Sequence, residues 1–425
     1  MKAFAVPTIA SALTAALSVL FFTGLSRLMG DGLLGQVILV QAAVAIVAMA
    51  CVPQCWVYLI AAHSREERVA RYRRGFSAEL AGIALGALII TAGIALPIGD
   101  RWRGALIIYA SLAVQASSSC LGWLRATENW RGYMLWVIGP NLIRVPLIWA
   151  TPWLVAGGWL PDARGDQALV MVVYFLAPDL VRWLAIAAPV ALRHYRWPGH
   201  AEVVAAARII MQNWLFDVGS ALTETADKVV VGTLLGPETL VAFFFARRLG
   251  IVATMVCEPF YAEHFRRTVA IADAGARSRR QTLVYRQGLA FAVALFAAMM
   301  AMVAMATLVP MLATLVPAAV LTLLPMFTLV LLVDCLFAAN RWSRFIAQLN
   351  GGGARLLGVR ITLFSLFVFG IWLYGHAFAG LGLAAAFALS WLLEAAYVGA
   401  KLRGASQLAV AESGAAKAQP PHGAD

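Results

Sequence analysis

The chain has 425 residues, of which 62% are hydrophobic and only 13% are charged, and its formal net charge is +12. A soluble globular domain holds about 25% charged residues, so this composition and the mean hydropathy of +0.81 exclude a soluble enzyme or binding domain. The sequence therefore predicts a polytopic membrane protein. Its N-terminal segment has a single charged residue, Lys2, followed by about 20 apolar or small residues. This length predicts a first membrane span that is not cleaved.

In chain order, hydropathy predicts an all-α polytopic membrane protein with twelve transmembrane helices. The expected spans are 5–28, 33–60, 77–98, 105–124, 133–157, 167–192, 208–235, 238–262, 288–309, 318–340, 360–378 and 380–400. These lengths fit the roughly 20 residues that cross the hydrocarbon layer as a helix. Helices satisfy every backbone hydrogen bond within the segment, whereas membrane strands are about half as long.

The twelve spans are expected to form two six-helix bundles of the same orientation. The predicted divisions are an N-terminal bundle (1–195), a cytoplasmic linker (196–207), a C-terminal bundle (208–403) and a disordered cytoplasmic tail (404–425). Two similar bundles are a known transporter plan, in which the substrate site lies between the halves near the midplane.

An internal repeat supports this division. At an offset of 206 residues, LMGDGLLGQ (28–36) aligns with LLGPETLVA (234–242). At the same offset, Met-x-Cys-x-Pro occurs at 49–53 and again at 255–259. The repeat pairs the first two spans with the seventh and eighth, which predicts related halves.

Lys and Arg concentrate in the even-numbered loops and at the termini, including SREERVARYRRG (64–75), which we predict to be a cytoplasmic loop. The odd-numbered loops hold only Arg27, Arg101, Arg103 and Arg164. By the positive-inside rule, both termini are expected in the cytoplasm. The same bias accounts for the net charge, so no nucleic-acid partner is expected.

Ionisable side chains also occur inside the predicted spans, where each costs at least about 2.5–3.5 kcal/mol at the bilayer centre. The seventh span places polar residues on one helix face, with Asp227 at its edge: Asn213, Asp217, Ser220, Glu224 and Lys228. Elsewhere the charges are Arg144 between Pro140 and Pro146, Asp179 and Arg182 after Pro178, Arg247 and Arg248 in the eighth span, and Asp334 in the tenth. Such groups are expected to face protein or a water-filled cavity rather than lipid.

We interpret these groups as the lining of a cationic cavity. Guanidinium groups are forked donors that suit an anionic headgroup such as a diphosphate, so the predicted substrate-binding residues are Arg144, Arg182, Arg247, Arg248 and Asn213. The predicted coupling or cavity-balancing residues are Asp179, Asp217, Glu224, Asp227, Lys228 and Asp334. The alternative is a set of internal ion pairs that hold helices in register, and Asp179–Arg182 and Glu224–Lys228 have that spacing.

No motif indicates catalysis or a resident metal. All five cysteines lie in apolar segments without a third ligand at metal spacing, so we expect small buried apolar side chains. No catalytic residues and no cofactor are predicted; a coupling H⁺ or Na⁺ would be the only bound ion.

Three segments resemble the Wzx-type polysaccharide flippases. LSRLMGDGLLGQVILVQAAVAIVA (25–48) is similar to their first two helices, and GWLRATENWRGYMLWVIGPNLIRV (122–145) to their passage from helix 4 to helix 5. ADKVVVGTLLGPETLVAFFFARRLG (226–250) is similar to the start of their second half, where helix 7 carries an Asp that matches Asp227. These flippases belong to the multidrug/oligosaccharidyl-lipid/polysaccharide (MOP) exporter superfamily, so the resemblance implies a MATE/MOP-like fold.

The resemblance implies a transporter, not an enzyme. Its expected substrate is a polyprenyl-diphosphate-linked oligosaccharide, which would pass from the cytoplasmic to the outer leaflet of the bacterial inner membrane by alternating access. Expected partners are membrane lipids and the polymerase and export proteins of surface polysaccharide (O-antigen or exopolysaccharide) biosynthesis. Asp227 is implied in coupling or in bracing the turn after helix 7.

Three other functions stay open at this point. A drug/cation antiporter of the same superfamily would favour an acidic, aromatic cavity over an arginine-rich one. A membrane-embedded polymerase or sugar transferase usually needs a larger outward loop than 158–166 provides. A lipid II flippase of the superfamily usually has more than twelve helices.

Overall fold

The structure is a computed structural model that describes part of the chain. That part comprises residues 2–53, 55, 58–59, 62, 64–94, 118–160, 162, 167–197, 199–202, 204, 207, 210–211, 225–269, 271, 273–309, 316–340, 358, 361–373, 382, 385, 388–389, 392–393, 396 and 400. The predicted tail at 404–425 and the candidate residues Asn213, Asp217 and Glu224 lie outside the described residues.

Every regular element within the described residues is a helix, as predicted. The helices are α1 (Lys2–Met29), α2 (Asp31–Cys51), α3 (Arg65–Ile94), α4 (Ser118–Ala126), α5 (Trp130–Ala156), α6 (167–194), α7 (225–234), α8 (Pro237–Val269), α9 (Ala274–Leu308), α10 (Ala318–Thr322), α11 (Leu324–Asn340) and α12 (Ile361–Leu373). Five described segments are long and apolar enough to cross a membrane: Ile9–Met29, Asp31–Cys51, Trp130–Ala156, Met171–His194 and Gly275–Leu308.

The prediction that 64–75 is a loop is wrong, because this segment forms the first turns of α3. Its cytoplasmic location stays a prediction. The Ser64 hydroxyl accepts a hydrogen bond from Glu67 N at 3.0 Å, which caps the helix. Glu67 and Arg71 then form an ion pair of 2.6 Å one turn apart. Hydropathy locates the apolar length of a helix but does not detect such a polar extension.

The predicted second span is too long, since α2 ends at Cys51 instead of reaching residue 60. Val52 is extended (φ −106°, ψ 113°), which is the conformation favoured before a proline such as Pro53. The second copy of the Met-x-Cys-x-Pro motif behaves differently, because α8 continues through Pro259 to Val269. A shared motif therefore does not give the two copies the same helix end.

The helix α6 is continuous but not uniform. It contains two π-helical segments, Met171–Leu176 and Trp183–Ala187, between segments of α-helix. Each π segment is followed within two residues by a proline, Pro178 or Pro189, inside the next α segment. A widened turn accommodates a proline ring that would otherwise clash with the carbonyl four residues earlier. By contrast, α5 passes through its three prolines without a break.

The described helices group into two compact units. The first comprises 1–244 with 314–322, and the second comprises 245–313 with 323–425. The six-plus-six division at 196–207 stays a prediction, because most of 203–224 lies outside the described residues.

In the first unit, α1 packs along α5. Thr14 Oγ1 donates to Val137 O at 3.2 Å, and Asn141 Nδ2 donates back to Thr14 O at 3.3 Å. A cluster of aromatic rings continues this packing: Phe21, Phe22, Phe175 and Phe244, with ring centroids 4.5–5.9 Å apart. In the second unit, α9 packs against α11.

The two copies of the internal repeat form similar turns within the first unit. Gly30 and Gly236, paired at the predicted offset, have φ values of 77° and 90°, a region that glycine enters without steric cost. A helix begins directly after each glycine. Its first turn is closed by a 3.1 Å hydrogen bond from the amide of Leu34 or Leu240 to the glycine carbonyl.

Large apolar side chains cover the outer faces of several helices. Leu88, Leu135, Leu192 and Met302 are all exposed in the structure, although they occur in apolar helices. An exposed apolar surface of this extent is stable in contact with lipid rather than water.

The turn at Gly236 generates a testable prediction. A methyl group on Gly35 would overlap the backbone carbonyl of Pro237, whereas one on Gly32 meets nothing within 4 Å. Gly35→Ala should therefore destabilise the protein by about 1–3 kcal/mol through overpacking. Gly32→Ala in the same helix is the matched control, and thermal unfolding of both purified variants in detergent measures the difference. Equal melting temperatures would contradict this packing.

Candidate functional site

Two arginines share one aspartate where α5 packs against α6. Arg144 Nη2 donates to Asp179 Oδ2 at 2.7 Å, and Arg182 Nη2 lies 3.3 Å from Asp179 Oδ1. The three side chains keep between 15% and 22% of their surface exposed. Because two guanidinium groups meet one carboxylate, this Arg144–Asp179–Arg182 cluster carries a net positive charge.

The position of Arg144 follows from a proline in the neighbouring helix. Pro178 has no N–H, so the carbonyl of Tyr174, four residues earlier, lacks its usual helical donor. Arg144 Nε donates to that carbonyl at 3.0 Å, and Arg144 Nη2 donates to Phe175 O at 3.1 Å. At Tyr174 O, Arg144 therefore replaces the hydrogen bond that Pro178 cannot donate.

Aromatic rings surround the same guanidinium groups. Arg182 Cζ lies 4.4 Å from the centroid of the Trp136 ring, and Arg144 Cζ lies 5.6 Å from that of Phe175. Cation–π contacts of this kind stabilise a desolvated cation. Arg182 Nε is buried without a hydrogen-bond partner among the described residues, while Arg144 has acceptors at Nε, Nη1 and Nη2. Of the two arginines, Arg182 is therefore the one with an N–H group, at Nε, for which no described residue is an acceptor.

A second ion pair lies in the second unit. Arg247 of α8 donates through Nη1 to Asp334 Oδ1 of α11. Gly250, one turn further along α8, lies against the Asp334 carboxylate, and a methyl group there would overlap it. Arg248 follows in sequence and is half-buried. The absence of a side chain at position 250 therefore allows α11 to bring its carboxylate to Arg247.

Asp227 and Lys228 form a third pair at the start of α7. Lys228 Nζ lies 3.2 Å from Asp227 Oδ1, and the Asp227 side chain is 4% exposed. The same oxygen accepts the Lys228 backbone amide at 2.7 Å. The contact joins sequence neighbours, so it anchors Lys228 locally.

The structure brings the predicted site residues together in three groups: Arg144 with Asp179 and Arg182, Arg247 with Asp334, and Asp227 with Lys228. The i, i+3 ion pair expected between Asp179 and Arg182 is present. Arg144 also pairs with Asp179, which is 35 residues away in sequence. Arg247 pairs with Asp334, which is 87 residues away in sequence. The binding and coupling roles assigned from sequence stay predictions.

One buried ionisable residue was missed from sequence. Glu79 of α3 is fully buried and accepts hydrogen bonds from Ser118 and Ser119 of α4. The signal was available, since Glu79 is the lone acidic residue within the apolar part of the predicted span 77–98.

A double-mutant cycle tests the replacement role of Arg144. Arg144→Lys should destabilise the protein by about 1.5–3 kcal/mol, because an ammonium group cannot reach all the acceptors of the guanidinium. Pro178→Ala restores an N–H for Tyr174 O, so when it is combined with Arg144→Lys it should recover about 0.5–1.5 kcal/mol. Pro189→Ala in the same helix is the control and should show no coupling to position 144. Strictly additive effects of the Arg144 and Pro178 changes would contradict this role.

The second ion pair gives a separate prediction. Gly250→Ala should displace the Asp334 carboxylate and weaken the Arg247–Asp334 pair, which costs about 3–5 kcal/mol when a buried ion pair is broken. Gly139→Ala is the control, since a methyl group there meets nothing within 4 Å. Thermal unfolding in detergent compares the two variants. A melting temperature of Gly250→Ala equal to that of the wild type would refute the close approach of Asp334 to Gly250.

Comparison with known proteins identifies the fold. No protein-family profile matches the chain, and no curated protein sequence matches it. Several solved structures are similar across nearly the whole chain. The "Lipid II flippase MurJ, inward closed conformation" has a TM-score of 0.62 at 11% identity and covers 95% of this chain and 90% of its own.

Two further solved structures are MATE transporters. The "inward-facing conformation of a multidrug resistance MATE family transporter of the MOP superfamily" gives a TM-score of 0.60 at 13% identity, covering 96% of this chain and 95% of that one. "MATE in complex with MaL6" gives 0.57 at 12% identity, with coverages of 96% and 97%. These likenesses confirm the predicted fold class: the chain has the all-α, multi-pass membrane fold of the MATE transporters and MurJ, with two six-helix halves.

Proposed function

We propose that this protein is a flippase that moves a polyprenyl-diphosphate-linked oligosaccharide from the cytoplasmic to the outer leaflet by alternating access. It is a transporter, not an enzyme, and it serves surface polysaccharide biosynthesis in a bacterial inner membrane with both termini in the cytoplasm. Two findings support the proposal: the transporter and flippase fold, and the cationic cluster at α5 and α6. The proposed partners are the lipid-linked oligosaccharide, membrane lipids, and polymerase or export proteins.

The observation that carries the proposal is the charge of the Arg144–Asp179–Arg182 cluster. A charge inside an apolar helix is costly unless another group balances it. Asp179 balances only one of the two arginines. A diphosphate supplies the missing negative charge, and its oxygens suit the forked donors of a guanidinium.

Within this cluster the two arginines have different proposed roles. Arg144 is held by the carbonyls of Tyr174 and Phe175 as well as by Asp179, so it positions the carboxylate. Arg182 stacks on Trp136, and no described residue accepts from its Nε, so it is the proposed contact for the diphosphate. Asp179 orients both guanidinium groups and limits the positive charge.

The other predicted residues enter the proposal with the roles that the sequence suggested. Arg247, Arg248 and Asn213 are proposed to contact the substrate. The proposed coupling or charge-balancing residues are Asp217, Glu224, Asp227, Lys228 and Asp334, with H⁺ or Na⁺ as the coupling ion. Asp334 already balances Arg247 in the structure.

The main competing function is export of cationic drugs, since MATE transporters share this fold. A cationic drug needs a negative or aromatic site. Trp136, Phe21 and Phe175 are aromatic, but in this structure their faces are next to arginines. A second cation beside Arg182 would be repelled, which favours an anionic substrate.

The test uses the full-length protein in liposomes that contain a fluorescent polyprenyl-diphosphate-linked oligosaccharide. Arg182→Gln removes the charge while keeping a polar side chain of similar shape. Losing one charge-assisted contact of about 1.5–3 kcal/mol should weaken the apparent affinity by about 10- to 150-fold. The measurement is the concentration dependence of the rate at which labelled sugar appears in the opposite leaflet.

Arg131→Gln is the matched control, because Arg131 lies in α5 but is exposed and away from the cluster. It should leave transport unchanged. Transport by Arg182→Gln at the wild-type affinity would refute the proposed contact. Transport of an organic cation, with no movement of the lipid-linked sugar by the wild type, would instead establish the drug antiporter.

A further inference from the structure

Glu79 lies on the buried face of α3, where this helix meets the start of α4. Its side chain has no exposed surface. Its Oε1 atom accepts three hydrogen bonds: from the Ser118 hydroxyl, from the Ser119 amide at 2.7 Å, and from the Ser119 hydroxyl at 2.9 Å. The two helices are thus joined through a single carboxyl oxygen.

The second oxygen of Glu79 is in a different position. Oε2 is buried and forms no hydrogen bond with the described residues. The carboxyl is therefore satisfied on one side only. An ionised carboxylate shares its charge equally between two oxygens and usually has donors at both.

No cation compensates Glu79 within the described part of the chain. The titratable groups that face it are Tyr72 on its own helix and Cys120 on α4. The backbone amide of Cys55 also faces the carboxyl and donates to Ser118 Oγ at 2.8 Å. Arg182 of α6 acts on Cys120, but it pairs with Asp179 and not with Glu79.

The relative cost of the two protonation states follows from this geometry. A buried carboxylate without a counter-ion costs several kcal/mol, and the three donors at Oε1 offset part of that cost. A neutral carboxyl with its proton on Oε2 leaves one hydroxyl without an acceptor, at a cost of about 1–3 kcal/mol. A buried carboxyl without a counter-ion therefore favours the neutral form.

We propose that Glu79, Ser118 and Ser119 form a proton-binding site between α3 and α4, and that Glu79 carries a proton on Oε2 in this structure. The proton comes from a hydronium ion of the bulk solvent, which is left as water, and its addition to the carboxylate requires no other reactant. Sodium fits the site poorly, because the Ser119 N–H points its positive end at Oε1 and a cation needs several oxygen ligands there.

Proton release has a structural consequence. The new charge on Glu79 requires water or a cation, and none of the described residues that act on the carboxyl supplies a cation. Release of the proton therefore favours a state in which these helices separate enough for water to enter. Binding and release at Glu79 are linked to this helix contact whichever substrate the protein carries.

The test is infrared spectroscopy of the full-length protein in lipid, where a protonated carboxyl and a carboxylate absorb at different wavenumbers. The wild type at neutral pH should show a protonated-carboxyl band that is lost in Glu79→Gln. Glu202→Gln is the control, since Glu202 is exposed and lies near Arg74 on the surface, and it should keep the band.

Ser119→Ala serves as a second variant in case Glu79→Gln does not fold. It removes one donor from Oε1, so the carboxyl band should shift to higher wavenumber while remaining present. A band that persists in Glu79→Gln, or that does not shift in Ser119→Ala, would overturn the proposal. Loss of the wild-type band on adding NaCl at constant ionic strength would identify a sodium site instead.

Discussion

A charged side chain among apolar helices is stable only when something balances it, and this constraint explains the arrangement of the described interior. Asp179 is held between two arginines, Arg247 is matched by an aspartate from a distant helix, and Asp227 holds the adjacent lysine. These groups differ in the net charge that is left after pairing. The pair in the second unit is neutral, whereas the cluster at α5 and α6 keeps one positive charge. The positive charge that is left at this cluster is the one that the proposed anionic substrate would balance.

Backbone irregularity and side-chain charge are linked at the same place. The prolines of α6 remove amide donors, and Pro178 thereby leaves the carbonyl of Tyr174 without its usual helical partner. Arg144 donates to that carbonyl and to the next one, Phe175 O, and at the same time holds Asp179. A guanidinium can do both because its five N–H groups point in fixed, divergent directions. The irregular helix and the buried arginine therefore stabilise each other.

The sequence was sufficient for the fold class, because apolar length and the distribution of Lys and Arg depend on the solvent around the chain rather than on contacts within it. Local chemistry was harder to foresee. The polar start of α3 is helical although it is rich in arginine, and α2 stops at Pro53 while α8 passes Pro259. Spacing along one helix identified Asp179–Arg182. It could not identify Arg144–Asp179 or Arg247–Asp334, since these partners meet only after helices pack. Glu79 was overlooked because it lies near the start of its span and shares no helix face with a second charge, although a lone acidic residue in an apolar segment is itself a signal.

The π segments of α6 have a mechanical meaning. Each π turn contains one residue more than an α turn. The residues after it are therefore offset, in rotation and in height, from the positions they would have in a regular α-helix. Converting the first one to a regular turn would rotate everything beyond it by about 100° and shift it by about 1.5 Å along the axis. Asp179 and Arg182 both lie after the first π segment. A change of that one turn from π to α would therefore move both side chains together to another face of α6, without bending the helix.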